Sequence, residues 1–287
     1  MRNTLIKCAL FCLTLFLLIS NPIAQAQVIT KEINSLNQIK PSLSNLHSTD
    51  TLFVFDIDNT LLTETGNHYY IGSPMWFNWQ VEQINTQGKY AVVSQLNDLY
   101  PFNNYVLQHL STKVCEKSTE GTRGTTDFFN YLKEHNYDVI AATARDNAKA
   151  VFEATYKQLA AARLASALSE NIHIANAEQL GTNTYFDKGL LMLRGQNKGQ
   201  FVYALLKQSN KLSRFKNVIF VDDTEKNIAA FTDYFKANAP GINVYAYHYN
   251  HELQEVKYFT NHLDNNINGF RDHLVTQDKK EYAAYKQ

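Results

Sequence analysis

Apolar and polar positions fall into two rhythms along this chain. Short apolar runs at 52–55, 137–142, 218–221 and 242–247 stop abruptly at polar residues and read as buried strands. Between them, 127–135, 146–168, 195–208 and the stretch from Thr224 onward repeat apolar residues at helical spacing. Strands alternating with helices at this interval predict a parallel sheet covered on both faces, a three-layer α/β/α core.

Other segments are less regular. Residues 28–46 space Ile33, Leu36 and Ile39 as a short amphipathic helix stopped near Pro41. A brief strand is expected at 172–174, and a β-hairpin at 185–194 around Asp187-Lys188-Gly189. A long insertion follows Thr60. It holds Trp76 and Trp79, helix-like pieces at 92–99 and 105–114 on either side of Pro101, and closing glycines at 121 and 124. The tryptophan cluster is either plain core or an aromatic wall over a site. Beyond Asn250 the tail is helical in places, and 279–287 reads as a frayed end.

Composition narrows the class. The chain has 287 residues, enough for a full core plus an insertion. Lys+Arg and Asp+Glu both number 27, so nothing points to a nucleic-acid partner. Arg2 and Lys7 precede an apolar run at 8–19 and the small-x-small site Ala24-Gln25-Ala26, the form of a cleaved secretory signal over 1–26. That run is too short for a comfortable membrane span, so none is expected after cleavage. Cleavage leaves Cys115 as the only cysteine, which rules out an internal disulfide. The expected division is a signal at 1–26, a core from 27–71 and 122–287, and a helical insertion at 72–121.

The chemistry gathers where strands end. Asp56-Ile57-Asp58-Asn59-Thr60 follows the first apolar run, and alternation puts Asp56 and Asp58 on one side of the chain. In parallel α/β sheets that carboxyl end is where ligands bind. Two carboxylates brought together call for a divalent metal or a shared proton. Thr143 ends the second core strand, Lys198 opens a helix after a glycine-bearing loop, and Asp222-Asp223 ends the strand at 218–221. Each alone is an ordinary turn or cap residue. Together, in this order, they make a site.

This ordered set, Asp-x-Asp-x-Thr then Thr, Lys and Asp-Asp, resembles the four motifs of the haloacid dehalogenase (HAD) superfamily over 51–247. The resemblance implies a Rossmann-like core with a helical cap inserted after the first motif. It further implies an aspartyl-phosphate mechanism with Asp56 as nucleophile and Asp58 as acid/base. Thr143 and Lys198 would hold phosphoryl oxygens. Mg²⁺ would be bound by Asp56, the Asp58 backbone carbonyl and Asp222, and Thr60 would support the turn and orient Asp58. Asp223 would be a ligand through water or a partner of Lys198. Arg145 would grip phosphate or make a surface salt bridge, and Asn227 would support the metal site or cap its helix.

The implied function is hydrolysis of small phosphomonoesters by an exported, periplasmic or secreted bacterial enzyme, similar to secreted HAD acid phosphatases and to divergent exported HAD proteins. The alternatives are a phosphotransferase using the same site, a silent interaction protein on the HAD scaffold, and a metal-free module built around the aromatic insertion. His248 and His251 lack a third ligand and read as loop histidines. Cys115 reads as a packed residue.

Overall fold

Thr51–Phe55 is buried at every position, as a strand covered on both faces must be. The computed structural model describes residues 26–65, 70–121, 123–174 and 180–287; the expected signal at 1–26 lies outside these apart from Ala26. The strands are β1 (Val28–Ile33), β2 (Thr51–Phe55), β3 (Leu62–Glu64), β4 (Thr112–Val114), β5 (Asp138–Thr143), β6 (Tyr185–Asp187), β7 (Leu190–Met192), β8 (Asn217–Asp222) and β9 (Asn243–Tyr249). The helices are α1 (Pro74–Asn85), α2 (Leu96–His109), α3 (Thr125–Glu134), α4 (Lys149–Ala161), α5 (Lys198–Gln208), α6 (Glu225–Asn238), α7 (Leu253–Asp264) and α8 (Phe270–Tyr285).

Seven strands form one sheet in the order β1-β9-β8-β2-β5-β7-β6. Each neighbouring pair is parallel except β7 with β6. Alternation divides the core. Phe53, Phe55, Val139, Ala141, Ile219 and Val221 face α3 and α4, whereas Leu52, Val54, Ile140, Ala142, Val218 and Phe220 face α5 and α6. The result is the three-layer α/β core expected, with a mostly parallel sheet and helices on both sides.

Several local expectations change. Residues 28–46 are not one helix: Val28–Ile33 pairs along β9, and a 3-10 helix over Leu36–Asn45 follows. The β-branched run Val28-Ile29-Thr30 meets the open edge of β9, and tertiary pairing overrides helical spacing. No strand forms at 172–174; β7 occupies the place beside β5. The hairpin there is as expected, with Lys188 and Gly189 both at positive φ, 48° and 74°. The helix expected over 146–168 is Lys149–Ala161, with a 3-10 turn at Ala165–Ala167.

The insertion leaves β2 through β3 and returns through β4, its antiparallel partner. One helix, α2, replaces the two pieces expected around Pro101, which lies within it at an exposed position. The tail is not frayed. Helices α7 and α8 pack with α1 and α2 around Trp76, Trp79, Leu99, Phe102, Phe259, Phe270 and Leu274. Trp76 Nε1 and Gln80 Nε2 each donate to Asp278 at 2.8 Å, and Tyr282 stands edge-on to Phe102 at 5.2 Å. The helical layer over the core is therefore built from both 74–109 and 253–285, rather than from 72–121 alone. Among the described residues no helix is long and apolar enough to cross a membrane.

Candidate functional site

β2, β5 and β8 are adjacent, so their carboxyl ends release Asp56, Thr143 and Asp222 side by side. Asp56 and Asp222 share the sheet face covered by α5 and α6, by the alternation that puts Val54 and Phe220 there. Lys198 enters from that same layer, in the first turn of α5. Asn197 caps the helix by accepting from Gln200 N at 3.1 Å. Gly199 makes the placement possible. A Cβ there would lie 2.9 Å from the Phe231 Cα on α6, so a larger residue would push α5 and Lys198 away.

Lys198 Nζ donates to Asp56 Oδ1 and Asp222 Oδ2, both at 2.5 Å. All three side chains are buried. Burial pulls the lysine pKa down, but Asp222 and Asp56 more than reverse this and hold it above its ordinary value. Burial raises Asp56 well above the usual carboxylate range despite Lys198, with Asp222, Asp223 and Asp58 adding to the rise. Asp223 is pushed up to about 7 by burial and by Asp222. Asn227 Nδ2 and Thr224 N both donate to Asp222, at 3.0 and 2.9 Å, fixing its orientation.

Asp56, Asp222 and Asp223 offer one oxygen each within 4.8 Å of one another. Hard oxygen donors so crowded that burial and repulsion favour protons on Asp56 and Asp223 suit a small divalent cation, which would relieve that repulsion. The Asp58 side chain is outside this group. It is turned to Arg145, whose Nη2 donates to Oδ1 at 2.7 Å and whose Nε donates to Oδ2 at 3.0 Å.

Arg145 is thus in the site but not free for phosphate. Its Nη1 donates to Thr155 at 3.0 Å and to Gln158 at 2.6 Å, so four of its five N–H donors are committed to protein. Gln158 in turn donates to the Leu107 and Leu110 carbonyls, both at 3.0 Å, at the end of α2. The guanidinium therefore aims Asp58, and Gln158 ties that aim to the insertion. Thr60 does not orient Asp58, since its buried hydroxyl meets no partner among the described residues. Thr143 is fully buried and accepts from Arg145 N at 3.2 Å, steadying the loop.

A cavity of about 350 Å³ opens over these groups. Asp56, Asp58, Arg145, Lys198, Asp223 and Asn227 line its core side; Thr143, Thr60 and Asp222 do not. Phe77, Tyr100, Asn103 and Leu107 of the insertion line the other side. The tryptophans are core, and the aromatic wall consists of Phe77 and Tyr100. Arg194 and Lys226 also line the cavity, with no sequence signal beyond an Arg-Gly turn for the first. His248 and His251 donate to the carbonyls of Asp223 and Asn34 and form no metal pair. Burial pushes the Cys115 thiol up, away from nucleophilic use.

Comparison with curated proteins and with solved structures gives no match. A family model does match, over residues 31–277, a span running from β1 into α8 and enclosing every residue of the site. By that match the chain belongs to the protein family of unknown function DUF2608.

Proposed function

We propose that this is an exported phosphomonoester hydrolase of HAD type, using Mg²⁺ and an aspartyl-phosphate intermediate on Asp56. The observation that carries the reading is the buried Asp56–Lys198–Asp222 cluster at the carboxyl end of parallel strands, open to one cavity beside an aimed second carboxylate. A buried carboxylate strongly perturbed by desolvation beside a specific charge partner, set in a cavity, is the kind of group that functional sites hold.

In this reading the Asp56 oxygen not bonded to Lys198 attacks phosphorus and displaces the leaving alcohol. Asp58, held by Arg145, delivers a proton to the departing oxygen and then takes one from the water that cleaves the acyl phosphate. Lys198 supplies fixed positive charge beside the nucleophile and the transferring phosphoryl group. Asp56, Asp222 and Asp223 would hold the cation, which when bound neutralises charge developing on the phosphoryl oxygens. The helices α1, α2, α7 and α8 form the cap, and their shared core keeps it seated.

The test is hydrolysis of p-nitrophenyl phosphate by the purified mature chain with Mg²⁺ or with chelator. Metal-dependent turnover that disappears in Asp56→Asn is expected. Turnover indifferent to Mg²⁺, or surviving Asp56→Asn, would overturn the assignment. Export is checked separately by the amino-terminal sequence of the mature protein, expected to begin at Gln27.

A further inference from the structure

The cavity wall opposite the carboxylates is aromatic, and its arginine, Arg194, is already paired. Phe77 and Tyr100 stand with ring centroids 5.6 Å apart and planes tilted by 56°. Arg194 lies over the Tyr100 ring at 4.9 Å. It is held there by Asn183 Oδ1 at 3.1 Å, by Asp146 at 3.5 Å, and by a backbone with φ of 47°, a left-handed conformation unusual for arginine. Asn103, on the same wall, has a buried side-chain oxygen with no hydrogen-bond partner among the described residues.

Four cations line the cavity, Arg145, Arg194, Lys198 and Lys226, against four carboxylates, Asp56, Asp58, Asp146 and Asp223, with Asp222 buried beneath. With Asp222 counted, these groups sum to about one negative charge, so a divalent cation leaves about one positive charge to meet a phosphoryl group. By that count no net positive charge remains for a second anionic group on the leaving alcohol. The volume is at the small end of ligand pockets.

We infer that the substrate is a small phosphomonoester whose leaving alcohol is an uncharged aromatic ring. The ring stacks against Phe77 and Tyr100, and a hydrogen-bonding substituent meets Asn103. This rests on the hydrolase reading for the direction of the phosphoryl group, so the test uses binding as well as turnover. Phenylphosphonate and methylphosphonate are titrated calorimetrically against the mature chain in Mg²⁺, with Phe77→Leu and Tyr100→Leu as single variants.

Phenylphosphonate should bind about tenfold more tightly than methylphosphonate. Each variant should lose most of that margin while binding methylphosphonate as the wild type does. Equal affinity for the two ligands, or a margin that survives both substitutions, overturns the inference. A charged ring, 4-carboxyphenylphosphonate, should bind worse than the phenyl compound; tighter binding overturns the charge argument. A phenyl preference without hydrolysis of any phenyl ester would leave this pocket standing and remove the hydrolase instead.

Discussion

Lys198→Met is the sharpest perturbation of the site. It keeps the length and volume of the side chain and deletes one charge. In the native chain that charge lies 2.5 Å from oxygens of both Asp56 and Asp222, with all three side chains buried. Breaking a buried pair by removing one partner costs about 3–5 kcal/mol, because the surviving charge is left without compensation. Here two carboxylates are stranded, with Asp223 near them. Without divalent cation the variant should therefore melt about 6–20 °C below wild type. The same deletion removes the cation that competes for the carboxylates, so Mg²⁺ should bind the variant more tightly than the parent. At a hundredfold excess over its dissociation constant the ion adds about 2.7 kcal/mol, and the deficit should narrow. The assay is differential scanning calorimetry of both proteins in chelator and across a Mg²⁺ titration. Equal melting temperatures in chelator would refute the buried-pair argument, and a smaller Mg²⁺ effect in the variant would refute the shared-carboxylate argument.

Four further outcomes follow from the geometry. Gln158→Leu should lower kcat with little change in KM, because it frees Arg145 and with it the aim of Asp58; Arg145→Lys should do the same more strongly, and an effect confined to KM would contradict this. Asp58→Ala should abolish turnover while retaining Mg²⁺-dependent thermal stabilisation, since its side chain is outside the carboxylate triad. Gly199→Ala should cost about 1–3 kcal/mol in urea unfolding, the overpacking range, as α5 is forced off α6. Asp278 gives a pH signature. Burial lifts it to about 8 against the pull of its two N–H donors, so its stabilising contribution is complete below its unfolded pKa and is lost as pH rises through about 8. The wild-type unfolding free energy from urea titrations should fall with pH across that window, by no more than about 1.4 kcal/mol per pH unit from this group. Asp278→Asn should flatten the slope.

The core and its strand-end residues were readable because one physical rule governs both. A strand buried on two faces must be apolar along its length, so the first polar residue marks where the chain leaves the sheet. That rule located Asp56, Thr143 and Asp222 without reference to one another, and adjacent strands brought them together. Partners of side chains were not readable. Arg145 read as a phosphate grip or a surface salt bridge, and nothing in its neighbourhood shows that it is buried against Asp58 with Thr155 and Gln158, a helix away, consuming its remaining donors. Thr60 looked like a brace for Asp58 but has no partner there. β1 was read as helix because its pairing depends on β9, more than 200 residues distant. The tail misled for the same reason, since Phe259, Phe270 and Leu274 acquire meaning only against the insertion.

The linkage through Gln158 bears on why the insertion needs the tail at all. A pair of helices on a two-strand stem of three residues each has little to hold it in register. Its contact with Asp58 runs through hydrogen bonds to the last carbonyls of α2, which tolerate displacements of only a few tenths of an ångström. Holding α2 to that tolerance requires a packed core of its own. The tail helices complete that core, and Asp278 fixes α8 to α1 through two hydrogen bonds in the interior. Truncation before α8 should therefore act on the acid/base step proposed for Asp58 as well as on stability. Loss of Phe270–Tyr285 would leave Asp56, Lys198 and Asp222 in place on the sheet while releasing Asp58 from its aim.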